Sequence, residues 1–275
     1  MIAPLALALG VLVGLLLALT GAGGGILAVP LLVFALRLGV AEAAPIALLA
    51  VGLGAASTAA LGLRDGIVRY RAAALMGGLA LVFAPLGVLA ARHLPNAPLT
   101  LAFAAVLALV SWRMWQRARE SVVAAAGADC AALPCVLDAR DGRLVWTRPC
   151  AQALALTGVV TGLLSGLLGV GGGFVIVPAL TRYTDLSARS IVATSLAVIA
   201  LASIGGVGAA AWHGVIAWDI ALPFALGSVA ASLLARAIAA RVAGPRLQQA
   251  FAVVGACVAV LLVAHVLGWL DAARP

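Results

Sequence analysis

Gly21-Ala22-Gly23-Gly24-Gly25 interrupts an apolar run, with Pro30 five residues beyond Gly25. Gly169-Val170-Gly171-Gly172-Gly173, with Pro178, repeats the spacing 148 residues later. The chemistry open to such a stretch is anion binding by the backbone. Each glycine costs about 1 kcal/mol of helix propensity relative to alanine, so three together predict a break. A break exposes N–H groups, and the first turn of the restarting helix carries partial positive charge. Glycine also lets a ligand approach the chain closely, and Pro30 and Pro178 suit the first turn of the restarting helix or a kink. The candidate binding residues are therefore Gly21, Gly23, Gly24 and Gly25 in one copy and Gly169, Gly171, Gly172 and Gly173 in the other. Gly10, Gly14, Gly158 and Gly162 read instead as sites of close helix packing.

Hydroxyls near the breaks would add donors. Thr20 precedes the first cluster and Ser165 the second, while Thr194 and Ser195 lie in a later apolar run. Membrane Ser and Thr more often bond their own helix, so each also has a purely structural reading. Glu42, Asp65, His213, Asp219 and His265 all fall at expected helix ends, where solvation explains them, and no proton relay stands out. Cys130, Cys135 and Cys150 match no standard zinc spacing. Enzyme signatures are absent: the glycine clusters are neither a Walker loop nor a Rossmann turn. No catalytic residue, cofactor or metal site is expected.

The elements that must hold these residues follow from composition. Of 275 residues, 65% are hydrophobic and 9% charged, which places the chain among polytopic helical membrane proteins. The net charge of +8 comes from arginines in short loops; that pattern reports membrane topology and lipid headgroups, not nucleic acid. Apolar runs cover about residues 5–36, 43–63, 72–91 and 99–115, then 153–180, 191–212, 220–240 and 247–270. The fold class is thus all-α polytopic, in two homologous halves: residues 1–117, a polar linker at 118–151, and residues 152–275. Asp141-Gly142 gives the linker a weak hairpin signal around 136–146.

Arginine placement separates two topologies. If each broken run crosses once, the 17 arginines divide ten to seven. If each is a hairpin that turns back, Arg37, Arg92 and Arg274 lie on one side and the other 14 opposite. The positive-inside rule favours the second. Each half is then a hairpin plus three spanning helices, and the halves are inverted repeats whose breaks face one another near the midplane. The linker falls in the cytoplasm, where free thiols are the expectation.

The run Gly162-Leu-Leu-Ser-Gly-Leu-Leu-Gly-Val-Gly-Gly-Gly-Phe-Val-Ile-Val-Pro178, followed by Val192-Ala-Thr-Ser-Leu196, resembles the TauE/SafE family of sulfite exporters, also called the toluene sulfonate uptake permease family. The first-half glycine cluster resembles that family's N-terminal copy, but Pro45-Ile46-Ala47 stands where Ala193-Thr194-Ser195 stands in the second half. The resemblance implies a multi-pass transporter of the bacterial inner membrane, carrying sulfite or an organosulfonate. It also implies that the glycine clusters and Thr194-Ser195 line the path. Expected partners are a small anion and membrane lipid, with a homo-oligomer left open. Two alternatives stand beside this: a carrier of another organic anion or a metal ion, and a non-transporting redox sensor built on the linker cysteines.

Overall fold

The computed structural model describes residues 2–20, 24–123, 135, 147–242 and 245–268. Gly21, Gly23, Cys130 and the 136–146 hairpin signal lie outside the described residues. The described chain is helical: α1 (Ile2–Thr20), a 3₁₀ turn (Gly24–Leu27), α2 (Ala28–Leu36), α3 (Val40–Arg64), α4 (Tyr70–His93), α5 (Asn96–Val123), α6 (Arg148–Leu168), α7 (Gly173–Tyr183), α8 (Ala188–Trp212), α9 (Trp218–Val242) and α10 (Pro245–Val266).

Six of these, α3 to α6, α8 and α9, are long and apolar enough to cross a bilayer. At 25 residues, α3 and α8 reach roughly 37 Å against a hydrocarbon core of about 30 Å. Outer faces carry exposed Leu109, Trp112, Leu156, Leu226, Leu234 and Val260, the surface that lipid covers. The buried polar side chains among the described residues are all Ser or Thr.

The repeat seen in the sequence is carried into the backbone without drift. Helix α8 is α3 shifted by 148 residues at both ends, and α9 starts 148 residues after α4. The halves are not side by side. Helix α1 packs on α9, and α6 packs on α4, so each half donates its first helix to the other. Glycine makes these contacts close. A Cβ on Gly10 or Gly14 would strike the backbone of Phe224 or Ser228, and one on Gly158 or Gly162 would lie 2.7 Å or less from backbone of Met76 or Ala80. The pairings also give direction: residues 10 and 14 meet 224 and 228, so α1 and α9 run parallel, as do α6 and α4. Helices α3 and α8 run antiparallel, with Gly62 opposite Ala193, Gly52 opposite Ser203 and Gly206 opposite Leu48.

Candidate functional site

The second break is a turn that glycine alone adopts without strain. Gly169 closes α6 at φ +71°, its N–H bonded to Ser165 O at 2.9 Å. Gly171 follows at φ +76°, and Gly172 stands at φ +69° as the N-cap of α7. In this left-handed region any other residue loses about 1–2 kcal/mol to the contact between its Cβ and the carbonyl. Pro178 is the sixth residue of α7, beyond the first turn, whereas Pro30 falls in the first turn of α2.

The chain then doubles back. Gly172 packs against Thr161, eleven residues earlier on α6. At the far end of this hairpin the two arms meet again. The N–H of Cys135 donates to Tyr183 O at the end of α7 (3.1 Å), and a disulfide joins Cys135 to Cys150 in the first turn of α6. The Cα atoms of that disulfide are 5.1 Å apart. So the hairpin returns to the face it left, and α7, at 11 residues, spans roughly 16 Å, half the hydrocarbon core. The free thiols expected of the linker are replaced by this bond. The reason is local: the mouth of the hairpin holds both residues together, which spacing along the chain does not reveal. At the first break Gly24 likewise folds back onto the backbone of Leu16 and Leu17.

The two breaks touch. A Cβ built on Gly25 would sit 3.0 Å from Val170 O and 3.0 Å from Val51 Cγ1. One on Gly171 would sit 3.2 Å from the same Val51 Cγ1 and 2.9 Å from Ile199 Cγ2. Val51 and Ile199 occupy the same repeat position, the twelfth residue of α3 and of α8. The breaks therefore meet at the mid-length of the two antiparallel helices. Gly24, Gly25, Gly169, Gly171, Gly172, Gly173 and Ser165 are buried there.

Thr194 and Ser195 sit elsewhere. Ser195 Oγ donates to Val192 O in its own helix (2.8 Å). Thr194 Oγ1 accepts the N–H of Arg69 (3.1 Å), and Ser190 Oγ donates to Ile67 O (2.9 Å). Together these two hydroxyls fasten the α3–α4 turn across the start of α8. The matching place in the other half is different. Glu42 and Ile46 replace Ser190 and Thr194; the Glu42 carboxylate caps its own helix by accepting Gly39 N–H at 3.4 Å. Beside it lies a cavity of about 80 Å³ lined by Glu42, Pro45, Leu48, Arg92, Gly166 and Val215. Its wall includes Ala44, whose backbone lies against Gly169. One flank of the candidate site is thus latched, and the opposite flank carries this small cavity.

Glu42, Asp65, His213, Asp219 and His265 are all exposed at helix ends. No cluster of three His, Cys, Asp or Glu able to hold a metal ion occurs among the described residues.

Residues 6–262 match the family described as Sulfite exporter TauE/SafE. The chain belongs to that family. It is 27% identical over 261 residues to a protein of Xylella fastidiosa named "Probable membrane transporter protein", with 92% of each chain covered. It is 28% identical over 209 residues to a similarly named protein of Methanocaldococcus jannaschii, covering 74% of this chain and 70% of the relative. No solved structure matches. Family membership and the six apolar helices identify a multi-pass membrane protein of a transporter family. Within that family setting, sequence reasoning overlooked Ser190 and Thr161. Ser190 and Glu42 were readable as repeat partners, and Thr161 stands four residues before Ser165 on the same face of α6.

Proposed function

We propose that this protein moves a small sulfur-containing oxyanion, sulfite or an organosulfonate, across the bacterial inner membrane, and that it is a carrier with no enzymatic activity. The contact between Gly25 and Val170 carries the reading, because it unites both backbone breaks at the middle of the bundle. Backbone at Gly21, Gly23, Gly24 and Gly25 and at Gly169, Gly171, Gly172 and Gly173 holds the anion, with Thr20 and Ser165 at the edges. Helix ends at membrane depth bind anions this way in transporters built from inverted repeats. An inverted arrangement of residues 1–117 and 152–275 is supported by the antiparallel run of α3 against α8, which are copies of one another.

The two flanks then act as alternate openings. The cavity at Glu42 and Arg92 is the open side. The latched side carries Arg64, Arg69, Arg71, Arg148, Arg182 and Arg189, so by the positive-inside rule it faces the cytoplasm, with the 118–151 linker. Thr194 reaches the anion when the α3–α4 turn lifts, and Ser195 lines the same path. Purified protein in liposomes should take up sulfite. A folded protein that passes no sulfur oxyanion rejects the reading.

The Cys135–Cys150 disulfide favours a second reading, a redox sensor with no transport. It sits on the arginine-rich face, where a cytoplasmic disulfide would be uncommon. Replacing Cys135 and Cys150 by Ser decides: sulfite flux that persists in the double variant removes the sensor.

A further inference from the structure

Two hydroxyls in the second hairpin have no partner among the described residues. Thr161 Oγ1 and Ser165 Oγ are fully buried, and among the described residues they are the only buried hydroxyl oxygens left without a hydrogen bond. Other hydroxyls on these helices return to their own backbone: Thr157 to Ala153 O (2.7 Å), Thr184 to Leu180 O (2.6 Å), Ser203 to Ile199 O (2.7 Å). That local bond is the usual refuge of a membrane hydroxyl. Thr161 and Ser165 forgo it, although an orphaned buried hydroxyl is costly.

Their position is specific. They lie one turn apart on one face of α6, and the Thr161 methyl and backbone lie against Gly172, the N-cap of α7. No side chain caps α7, and the N–H groups of Gly173 and Phe174 have no acceptor among the described residues. Two orphan hydroxyls thus lie on the arm of the hairpin against which the uncapped start of α7 folds back. In the first half, the same two repeat positions are Val13 and Leu17, both buried hydrocarbon. The fold can be built with apolar side chains there, so packing does not require the hydroxyls.

We infer that, where the two breaks meet, the second hairpin supplies the primary donors to the anion. Thr161 and Ser165 donate to separate oxygens of one oxyanion, and the amides at the start of α7 supply the remaining donors. This rests on the transport reading above and sharpens it in two ways. The chain binds one anion, not a symmetric pair. And the ligand must offer several acceptor oxygens, as sulfite and sulfonates do, so chloride is a poor competitor. With neutral donors throughout, the site suits a singly charged anion over a dianion, whose burial costs more.

The test is anion binding by the detergent-purified full chain, measured by calorimetry with sodium sulfite near pH 6 and with chloride as competitor. Expected is one sulfite per chain, with Thr161→Val and Ser165→Ala each weakening binding at least fivefold and Thr161→Ser restoring it. Thr157→Val, which removes a hydroxyl already bonded to its own helix, should leave affinity unchanged. Thermal melting without anion keeps folding separate: Thr161→Val should melt no lower than the parent chain. Wild-type affinity in both Thr161→Val and Ser165→Ala overturns the site while leaving transport standing. Two equivalent sites per chain overturn it as well. Failure of the parent chain to bind or pass any sulfur oxyanion overturns the transport reading and this inference with it.

Discussion

The latch on the α3–α4 turn gives a prediction whose size can be worked out. Thr194→Val keeps the shape of the side chain and removes the acceptor for Arg69 N–H. The Ser190 bond to Ile67 O remains. A single neutral hydrogen bond contributes about 0.5–1.5 kcal/mol net, so the ratio of latched to released turn should fall roughly 2- to 12-fold. Hydrogen exchange reads this ratio, because the turn must lift before its amides exchange. The reporter is Ile67 N–H, bonded to Gly62 O at 3.2 Å, since the substitution does not touch that bond. Its exchange should accelerate by the same 2- to 12-fold factor. The turn at Gly214–Ala217 is the internal control, because its repeat position has Ile46 where Thr194 stands and carries no such latch. Ser190→Ala should act in the same direction, and the double variant need not be additive because both bonds hold one turn. Unchanged exchange at Ile67 in a folded Thr194→Val protein refutes the latch.

The breaks and the disulfide give further expectations. Gly172→Ala incurs about 1–2 kcal/mol from its left-handed backbone, plus the collision with Thr161, and should lower the melting temperature and abolish sulfite uptake. Gly25→Ala has no left-handed φ to maintain, so its cost is the overpacking against Val170 O and Val51, about 1–3 kcal/mol. Val51→Ala in the same chain should recover part of that loss in a melting experiment. Cys150→Ser removes a cross-link with a sequence separation of 15 residues, a loss of about 3 kcal/mol under oxidising conditions. The same comparison in excess dithiothreitol should show no difference, and a persisting difference would mean the serine perturbs packing instead.

Much of this architecture was legible because its signals are coarse and repeated. Gly169, Gly171 and Gly172 mark a turn with three left-handed residues, which few other sequences can satisfy. Arg37 and Arg92 stand apart from the remaining arginines, and that asymmetry pointed to hairpins before any helix was placed. What stayed hidden depends on neighbours distant in the chain. The sequence offers Thr194 as a hydroxyl near the anion's path, and its bond to the N–H of Arg69, 125 residues away, is visible only in three dimensions. The disulfide was obscured by a sound rule about compartments, which says nothing of two cysteines held at one hairpin mouth. Thr161 went unnoticed because a threonine in a membrane helix usually bonds its own turn; the missing bond is visible only in three dimensions.

The exchange of first helices between the halves has a consequence for how the chain is made. Helix α1 leaves the ribosome well before α9, yet the surface that receives Gly10 and Gly14 belongs to α9, more than 200 residues later. Until α9 is in the membrane, the glycine face of α1 must rest against lipid or an insertase. Helix α6, in contrast, finds α4 already synthesised. Assembly is therefore ordered: the second hairpin can dock as soon as it emerges, whereas the first must wait for α9. A truncation before α9 would strand α1 and the first break together, and quality-control proteases would meet an intermediate whose second hairpin is docked while its first is not.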